Sequence, residues 1–351
     1  MTDTVGQQSN GAGTAPPLVS VILPAYNAAA HLRRAVDSAL GQTFPDLEIV
    51  IVDDASTDAT LEVAGQLAAQ DSRVRVLRNE RNAGPSVSRN RAIAAARGEW
   101  IAILDADDSW FPERLERMLA GAGNADVVSD DLYIVRGSLF KPEEAVLWSM
   151  LQAAGFMVTR PRQLDIRDLV RYELALLKPI IRRSFLDRHE LSYDPALLRA
   201  HDFYLYFEIL ALGGRWLQLP QGYYLYYKHG HAAKDKDQRV KRTTLTETVE
   251  SNRSLLNHPA AAGDKALIAA LERRVRKAQR RLVFATAQDA VRQRRFADLA
   301  RWLVGNPSNL LLIVRFVIER LYLRVLWRVY RLRGPKPPNH RAKALVRPEE
   351  G

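Results

Sequence analysis

Apolar runs alternate with amphipathic stretches from residue 18 to residue 108. Residues 18–23, LVSVIL, form a short β-branched run ending at Pro24, which predicts a buried strand. Residues 28–41 carry Leu32, Ala35, Val36, Ala39 and Leu40 at helical spacing, with Gly41 as the stop. LEIVIVDD (47–54) reads as a second strand that ends in two aspartates. Residues 57–70 read as a helix with Thr57 or Asp58 as its N-cap. VRVLRN (74–79) is a third strand, 85–98 a helix closed by Gly98, and WIAILDADD (100–108) a fourth strand.

Strands that are apolar throughout need cover on both faces, so this alternation predicts an α/β parallel sheet with helices on each side. In such sheets ligands gather beyond the C-terminal strand ends. The polar clusters fall there: Pro24–Asn27, Asp53–Asp54, Asn79–Asn82 and Asp105–Asp108. Past residue 125 the pattern loosens. Residues 126–135 and 223–231 read as strands, 199–213 as a helix, and everything from about 240 as basic helix.

Composition narrows the classes. An apolar share of 47% in 351 residues supports a large core, and the absence of cysteine excludes disulfides and thiolate metal sites. The opening MTDTVGQQSNGAGTAPP has no apolar signal region, and no run of 18 apolar residues occurs. A cytoplasmic protein is therefore expected. The net charge of +11 is concentrated in the last third, in ERRVRKAQRR (272–281), RQRR (292–295) and the arginines from Arg315 to Arg333. Without a zinc-finger or RNP-type signature, a nucleic-acid partner is not expected.

The candidate chemistry centres on Asp105, Ala106, Asp107 and Asp108. Asp108 or Ser109 can serve the start of the next helix. Asp105 and Asp107, at i and i+2 of an extended chain, point to one side. There they can hold a divalent cation, directly or through a ribose and water. Mg²⁺ takes one or two carboxylates and fills its shell with phosphate oxygens.

VSVILPAYN (19–27), IVIVDDASTDAT (49–60), RNAGPSVSRNRAI (81–93) and WIAILDADD (100–108) occur in this order. They resemble the four N-terminal motifs of the family 2 inverting glycosyltransferases. The resemblance implies the GT-A fold, a Rossmann-like, mixed but mostly parallel sheet with helices on both faces, here with a C-terminal helical extension. It implies a nucleotide-sugar site in which Pro24, Ala25, Tyr26 and Asn27 meet the base. Asp53 and Asp54 match the motif whose carboxylate reads a uracil ring, and Asn82, Gly84 and Arg89 the segment bordering the nucleotide. Asp105 and Ala106 lie by the ribose, and Asp107 binds Mg²⁺ or Mn²⁺ on the diphosphate. The family's catalytic base is the Asp of a Glu-Asp pair at a helix start. Here that position reads His201-Asp202, so Asp202 is the candidate base, with Glu208 and Asp194 as weaker rivals. Asp130 is the candidate for the acceptor side. Lys228, His229 and His231 match a loop that closes over the diphosphate.

These implications make the chain a metal-dependent glycosyltransferase. It would move a sugar, with glucose expected, from a UDP-sugar to a saccharide hydroxyl with inversion. The acceptor is expected to be lipid-linked, in the assembly of exopolysaccharide or another cell-surface polysaccharide. A sugar nucleotidylyltransferase or a non-catalytic nucleotide-sugar or lipid scaffold are the alternatives. PAYNAAAHLRR, with no glycine for a phosphate loop, counts against the first, and the intact Asp105, Asp107 and Asp202 against the second. Residues 1–17 and 334–351 read as disordered tails, 18–235 as the catalytic domain and 236–333 as a basic helical region. In residues 309–333, Arg320, Arg324, Arg328 and Arg331 share one stripe beside a wide apolar arc. That pattern suits a helix lying on an anionic membrane, which would place the protein peripherally on the inner face of the plasma membrane. Packing on the catalytic domain, or on a second copy in a homo-oligomer, is the other use of such a helix.

Overall fold

The computed structural model describes residues 16–136, 146–197, 200–227, 238–315 and 317–318. They fall into two units that divide after residue 228.

The first unit is built on one mixed sheet. Its parallel half is β1 (Val19–Ala25), β2 (Leu47–Asp53), β3 (Val74–Arg78) and β4 (Trp100–Ile103), in the spatial order β3-β2-β1-β4. Helices α1 (Ala29–Leu40), α2 (Thr60–Gln70) and α3 (Pro85–Ala95) connect them. Val19, Val21, Ile22 and Leu23 of β1 and Ile49–Val52 of β2 are fully buried, which is why these strands read as unbroken apolar runs. Each such side chain contributes about 1.5–3 kcal/mol. α1 ends at Gly41, as its spacing predicts. Gly98 does a different job from the predicted helix stop, because α3 ends at Ala95. A Cβ on Gly98 would lie 2.5 Å from the Ser20 amide nitrogen, so the glycine permits close packing on β1. The expected N-cap of α2 is also corrected. The helix begins at Thr60, and Asp58 Oδ2 instead accepts from the Ala29 amide of α1 at 3.2 Å.

The rest of the sheet follows from β5 (Ser109–Trp110), α4 (Arg114–Ala122), β6 (Val127–Arg136), β7 (Val146–Ser149) and α5 (Met150–Ala153). After these come β8 (Arg162–Leu164), α6 (Ile166–Tyr172), β9 (Ile180–Arg182), α7 (Arg183–Arg188), α8 (His201–Ala211) and β10 (Trp216–Tyr227). The order continues β4-β9-β6-β10-β5, with β7 on β6 and β8 on β10. β9 is antiparallel to both β4 and β6, while β10 runs parallel to β6. β10 starts earlier than its aromatic run suggests. It shifts register against β6 around Gly222.

The second unit is helical: α9 (Gln238–Ser254), α10 (Lys265–Arg292) and α11 (Phe296–Gly305). Leu267, Leu271, Val275 and Ala278 give α10 its buried stripe, and Asp264 caps it by accepting from the Leu267 amide at 2.9 Å. Among the described residues no helix is long and apolar enough to cross a membrane. The expectations for residues 1–15, for the tail 334–351, for Lys228, His229 and His231, and for Arg320 to Arg331 lie outside the described residues.

Candidate active site

The C-terminal ends of β1, β2 and β4 and the first turn of α8 carry the predicted residues. Three non-glycine residues at these edges hold positive φ: Asn27 (49°), Ala55 (55°) and Ala200 (60°). Such conformations cost on the order of 1 kcal/mol or more each and cluster at functional sites.

At the β1 end Pro24 and Tyr26 are half-buried, Ala25 is buried and Asn27 is exposed. The Asn27 amide donates to Ser56 Oγ (3.0 Å) and its Oδ1 accepts from the Thr57 amide (2.9 Å), tying this loop to the one after β2. The two aspartates that close β2 then separate. Asp54 Oδ1 accepts from Asn79 Nδ2 (2.7 Å) and the Ala83 amide (2.9 Å), and its Oδ2 from the Gly84 amide (2.8 Å). Asp54 is therefore a brace for the 79–84 loop and not a base-reading group, which corrects its assignment. It holds Gly84 at φ 88°, a conformation that favours glycine. Asp53 is fully buried, and its Oδ1 has no hydrogen-bond partner among the described residues. An unpartnered buried carboxylate oxygen costs about 1–3 kcal/mol, a penalty that a ligand N–H would remove. Asn82, further along the loop, is exposed.

Beyond β4 a buried ionic cluster forms. Arg89 on α3, 4% exposed, places Nη2 2.6 Å from Asp105 Oδ1 and Nη1 3.5 Å from Asp202 Oδ1. Lys178, equally buried, bridges Asp105 Oδ2 (3.0 Å) and Asp202 Oδ2 (2.9 Å). Two cations and two carboxylates thus close a ring of net charge zero. Burial opposes ionisation of Asp202, but Lys178 and then Arg89 outweigh it and hold its carboxyl below the usual range. Asp105 is depressed in the same way, by Lys178 and then Arg89. Burial, with Arg89 and Lys178 nearby, pushes His201 down, so the imidazole is neutral and its Nε2 pairs with Arg89 Nη1. Where the resembled motif carries Glu, this chain thus sets a neutral imidazole against Arg89.

Asp108 does not serve the next helix, since α4 starts at Arg114. It is fully buried beneath β10, where Tyr224 Oη donates to Oδ2 (2.7 Å) and the Tyr227 amide to Oδ1 (3.0 Å). Burial, then Asp105 and Asp107, raise its carboxyl well above the usual range. Tyr224 Oη also accepts from the Asp105 amide at 3.2 Å, so Asp108 positions the strand end.

Ala106 is buried and Asp107 partly exposed. Among the described residues no three acidic or histidine side chains converge as a preformed metal cage. Asp105 is spent on Arg89 and Lys178, and the carbonyl of Asp107 takes Arg34 Nη2 at 2.5 Å. One carboxylate at a site edge fits a cation whose remaining ligands are phosphate oxygens and water.

Asp130 is corrected. It is 1% exposed and forked to Arg114 (2.9 and 3.1 Å), and it accepts from the Tyr223 amide (2.9 Å), which leaves nothing for an acceptor sugar. Its neighbour Asp131 is buried as well, and burial pushes its carboxyl up to about 6 despite hydrogen bonds from Ser149, Leu132 and Leu151.

The family described as glycosyl transferase family 2 matches residues 20–173. The chain is 30% identical over 311 residues to the succinoglycan biosynthesis protein ExoU of Rhizobium meliloti (strain 1021), covering 86% of each chain. It belongs to glycosyl transferase family 2. ExoO of the same organism, also named a succinoglycan biosynthesis protein, is 39% identical over 218 residues, 60% of this chain and 61% of that one. The fold agrees. Staphylococcus aureus TarS 1–349 superposes with a TM-score of 0.58 at 21% identity, over 77% of this chain and 80% of that one. The mannosyltransferase PcManGT from Pyrobaculum calidifontis gives 0.52 at 19%, over 90% and 88%.

Lys178 is the participant that sequence reading missed. Its signal is a lone charge inside the apolar run LALLKPII, where a lysine is buried only if it is paired.

Proposed function

We propose that this glycosyltransferase moves a sugar from a UDP-sugar to a hydroxyl of a lipid-linked saccharide, with inversion, in exopolysaccharide assembly. The observation that carries the reading is the ionic ring, which joins the nucleotide-facing strand end at Asp105 to a carboxylate at a helix start, Asp202. ExoO and ExoU, both named for succinoglycan biosynthesis, support the pathway class. Structures of this fold do not choose the nucleotide by themselves. TarS was solved with UDP and with UDP-GlcNAc, PcManGT with GDP-Man and Mn²⁺. Here Asp53 Oδ1 offers an acceptor for the imide N–H of uracil, a donor that the unprotonated ring nitrogens of cytosine and adenine lack.

In this mechanism the acceptor hydroxyl attacks the anomeric carbon from the face opposite the diphosphate. Its proton passes to Asp202 Oδ1, which Arg89 approaches only at 3.5 Å, while Lys178 fixes Oδ2 at 2.9 Å. The carbon–oxygen bond to the diphosphate breaks as the new one forms, so no covalent enzyme intermediate arises. Arg89 sits where it can meet negative charge on the leaving group. A Mg²⁺ or Mn²⁺ ion on Asp107 would supply further charge neutralisation there.

Asp107→Ala is expected to remove the metal-dependent part of UDP affinity, a loss of about tenfold or more. Calorimetric titration of UDP with and without Mn²⁺ checks this, and an unchanged metal increment refutes the assignment.

The second unit supports a peripheral membrane contact. Phe296, Val304, Leu310, Leu311 and Val314 are exposed among the basic residues Arg292, Arg294, Arg295, Arg301 and Arg315. Deleting residues 309–351 is expected to release the protein from vesicles containing anionic phospholipid. Full-length protein that never sediments with those vesicles would contradict the contact.

A further inference from the structure

Lys178 has no place in the four motifs, yet its ammonium touches both Asp105 and Asp202 within 3.0 Å, closer to Asp202 than Arg89 comes. Topology puts it there. β9 pairs antiparallel with β4, Ala102 opposite Ile180, so the residues entering β9 lie beside those leaving β4. Pro179 follows directly, and the backbone carbonyl of Lys178 is held by the guanidinium of Arg114. The lysine is therefore fixed at both its main chain and its tip.

We propose that Lys178 is a positioning residue that aims Asp202 and ties it to the donor side of the site through Asp105. The inference rests on Asp202 as the base. Its physical content is the asymmetry of the ring. Arg89 approaches Asp202 only at 3.5 Å and spends its stronger contact, 2.6 Å, on Asp105. Lys178 makes the 2.9 Å contact to Asp202 Oδ2, so it sets the rotamer of that carboxylate and leaves Oδ1 with the looser guanidinium contact at 3.5 Å. A donor that draws on Asp105 or Arg89 necessarily alters the pull on Lys178, and so on Asp202. Donor binding and readiness of the base are linked most tightly through this ammonium group, with Arg89 as the looser second bridge.

The ionisation of Asp202 supplies a readout that mere structural support would not move. The groups facing it are Lys178, Arg89, His201, Asp105 and the buried phenols of Tyr193 and Tyr206. Removing the Lys178 charge takes away the largest influence holding Asp202 down. Its carboxyl titrates higher in the variant, and the acid limb of the kcat–pH profile moves to higher pH.

The experiment uses the full chain and compares wild type with Lys178→Met, Lys178→Arg and Asp202→Asn by UDP release across pH. Thermal melting and UDP binding confirm that each variant is folded. The expected result for Lys178→Met is a fall in kcat of about 100-fold, with donor KM changed far less and the acid limb raised by about one pH unit or more. Lys178→Arg is expected to recover part of the rate and most of the limb. An acid limb that stays in place in folded Lys178→Met overturns the proposal, as does a loss confined to KM. If Lys178→Met does not fold, Lys178→Arg decides alone: a lowered kcat with donor KM little changed supports the proposal, and wild-type kcat from an arginine with different reach, or a loss confined to KM, overturns it. Retained turnover by Asp202→Asn would sink the base assignment itself, whereas a dead Asp202→Asn beside an unshifted Lys178→Met would sink this inference only.

Discussion

Asp202→Asn is expected to lower turnover by about 10²–10⁴-fold while leaving UDP-sugar affinity intact. The amide keeps the shape of the side chain but cannot take a proton from the acceptor. Binding survives for an electrostatic reason. Asp202 belongs to a ring of two cations and two anions, so removing its charge leaves Arg89 and Lys178 with a surplus positive charge beside the donor. That surplus favours a diphosphate. The variant is therefore expected to bind UDP as tightly as wild type or tighter, and the loss appears in kcat with KM little changed. Steady-state UDP release, with calorimetry on the same samples, separates the two quantities. Turnover within about tenfold of wild type would show that another group takes the proton.

Arg114→Ala is expected to cost about 3–5 kcal/mol of stability, because it strands a buried carboxylate. Arg114 and Asp130 are 0% and 1% exposed, and the arginine also lies over the rings of Trp110 (4.7 Å) and Tyr224 (5.1 Å). Truncation removes the pair, the packing on two aromatic rings and the anchor of the Lys178 carbonyl together. The double variant Arg114→Met with Asp130→Leu is expected to recover much of the loss, since it removes both charges while keeping volume. Urea unfolding of the three proteins is the check. A single-variant cost below about 1 kcal/mol would mean that the pair is not the brace described.

What the sequence disclosed, and what it hid, follow from the same physics. β1, β2 and β4 were legible because a strand covered on both faces must be apolar at every position, and polar clusters at its end then have no core role. The strand-end rule located Asp53, Asp105 and Asp107 without any contact information. It could not divide labour within a cluster. Asp53 and Asp54 are adjacent, but only the structure shows that Asn79 and the amides of Ala83 and Gly84 consume one of them. Asp130 looks like a site residue, and Asp108 like a helix start, until Arg114 and Tyr224 are seen to satisfy them. Arg114 itself sits in PERLERML, a string that reads as an exposed helix. β9 has three residues and no alternation to detect, so Lys178, carried beside it, stayed hidden.

The central claim is that Asp202, in a ring with Asp105, Arg89 and Lys178, serves transfer from a UDP-sugar. UDP release from a panel of nucleotide sugars, with lipid-linked acceptors, Mn²⁺ and either wild type or Asp202→Asn, tests it most directly. The predicted result is release from at least one UDP-sugar by wild type, dependent on both acceptor and metal, and absent from Asp202→Asn. Equal release by the two proteins, or turnover of a GDP- or dTDP-sugar with no UDP-sugar accepted, would contradict it.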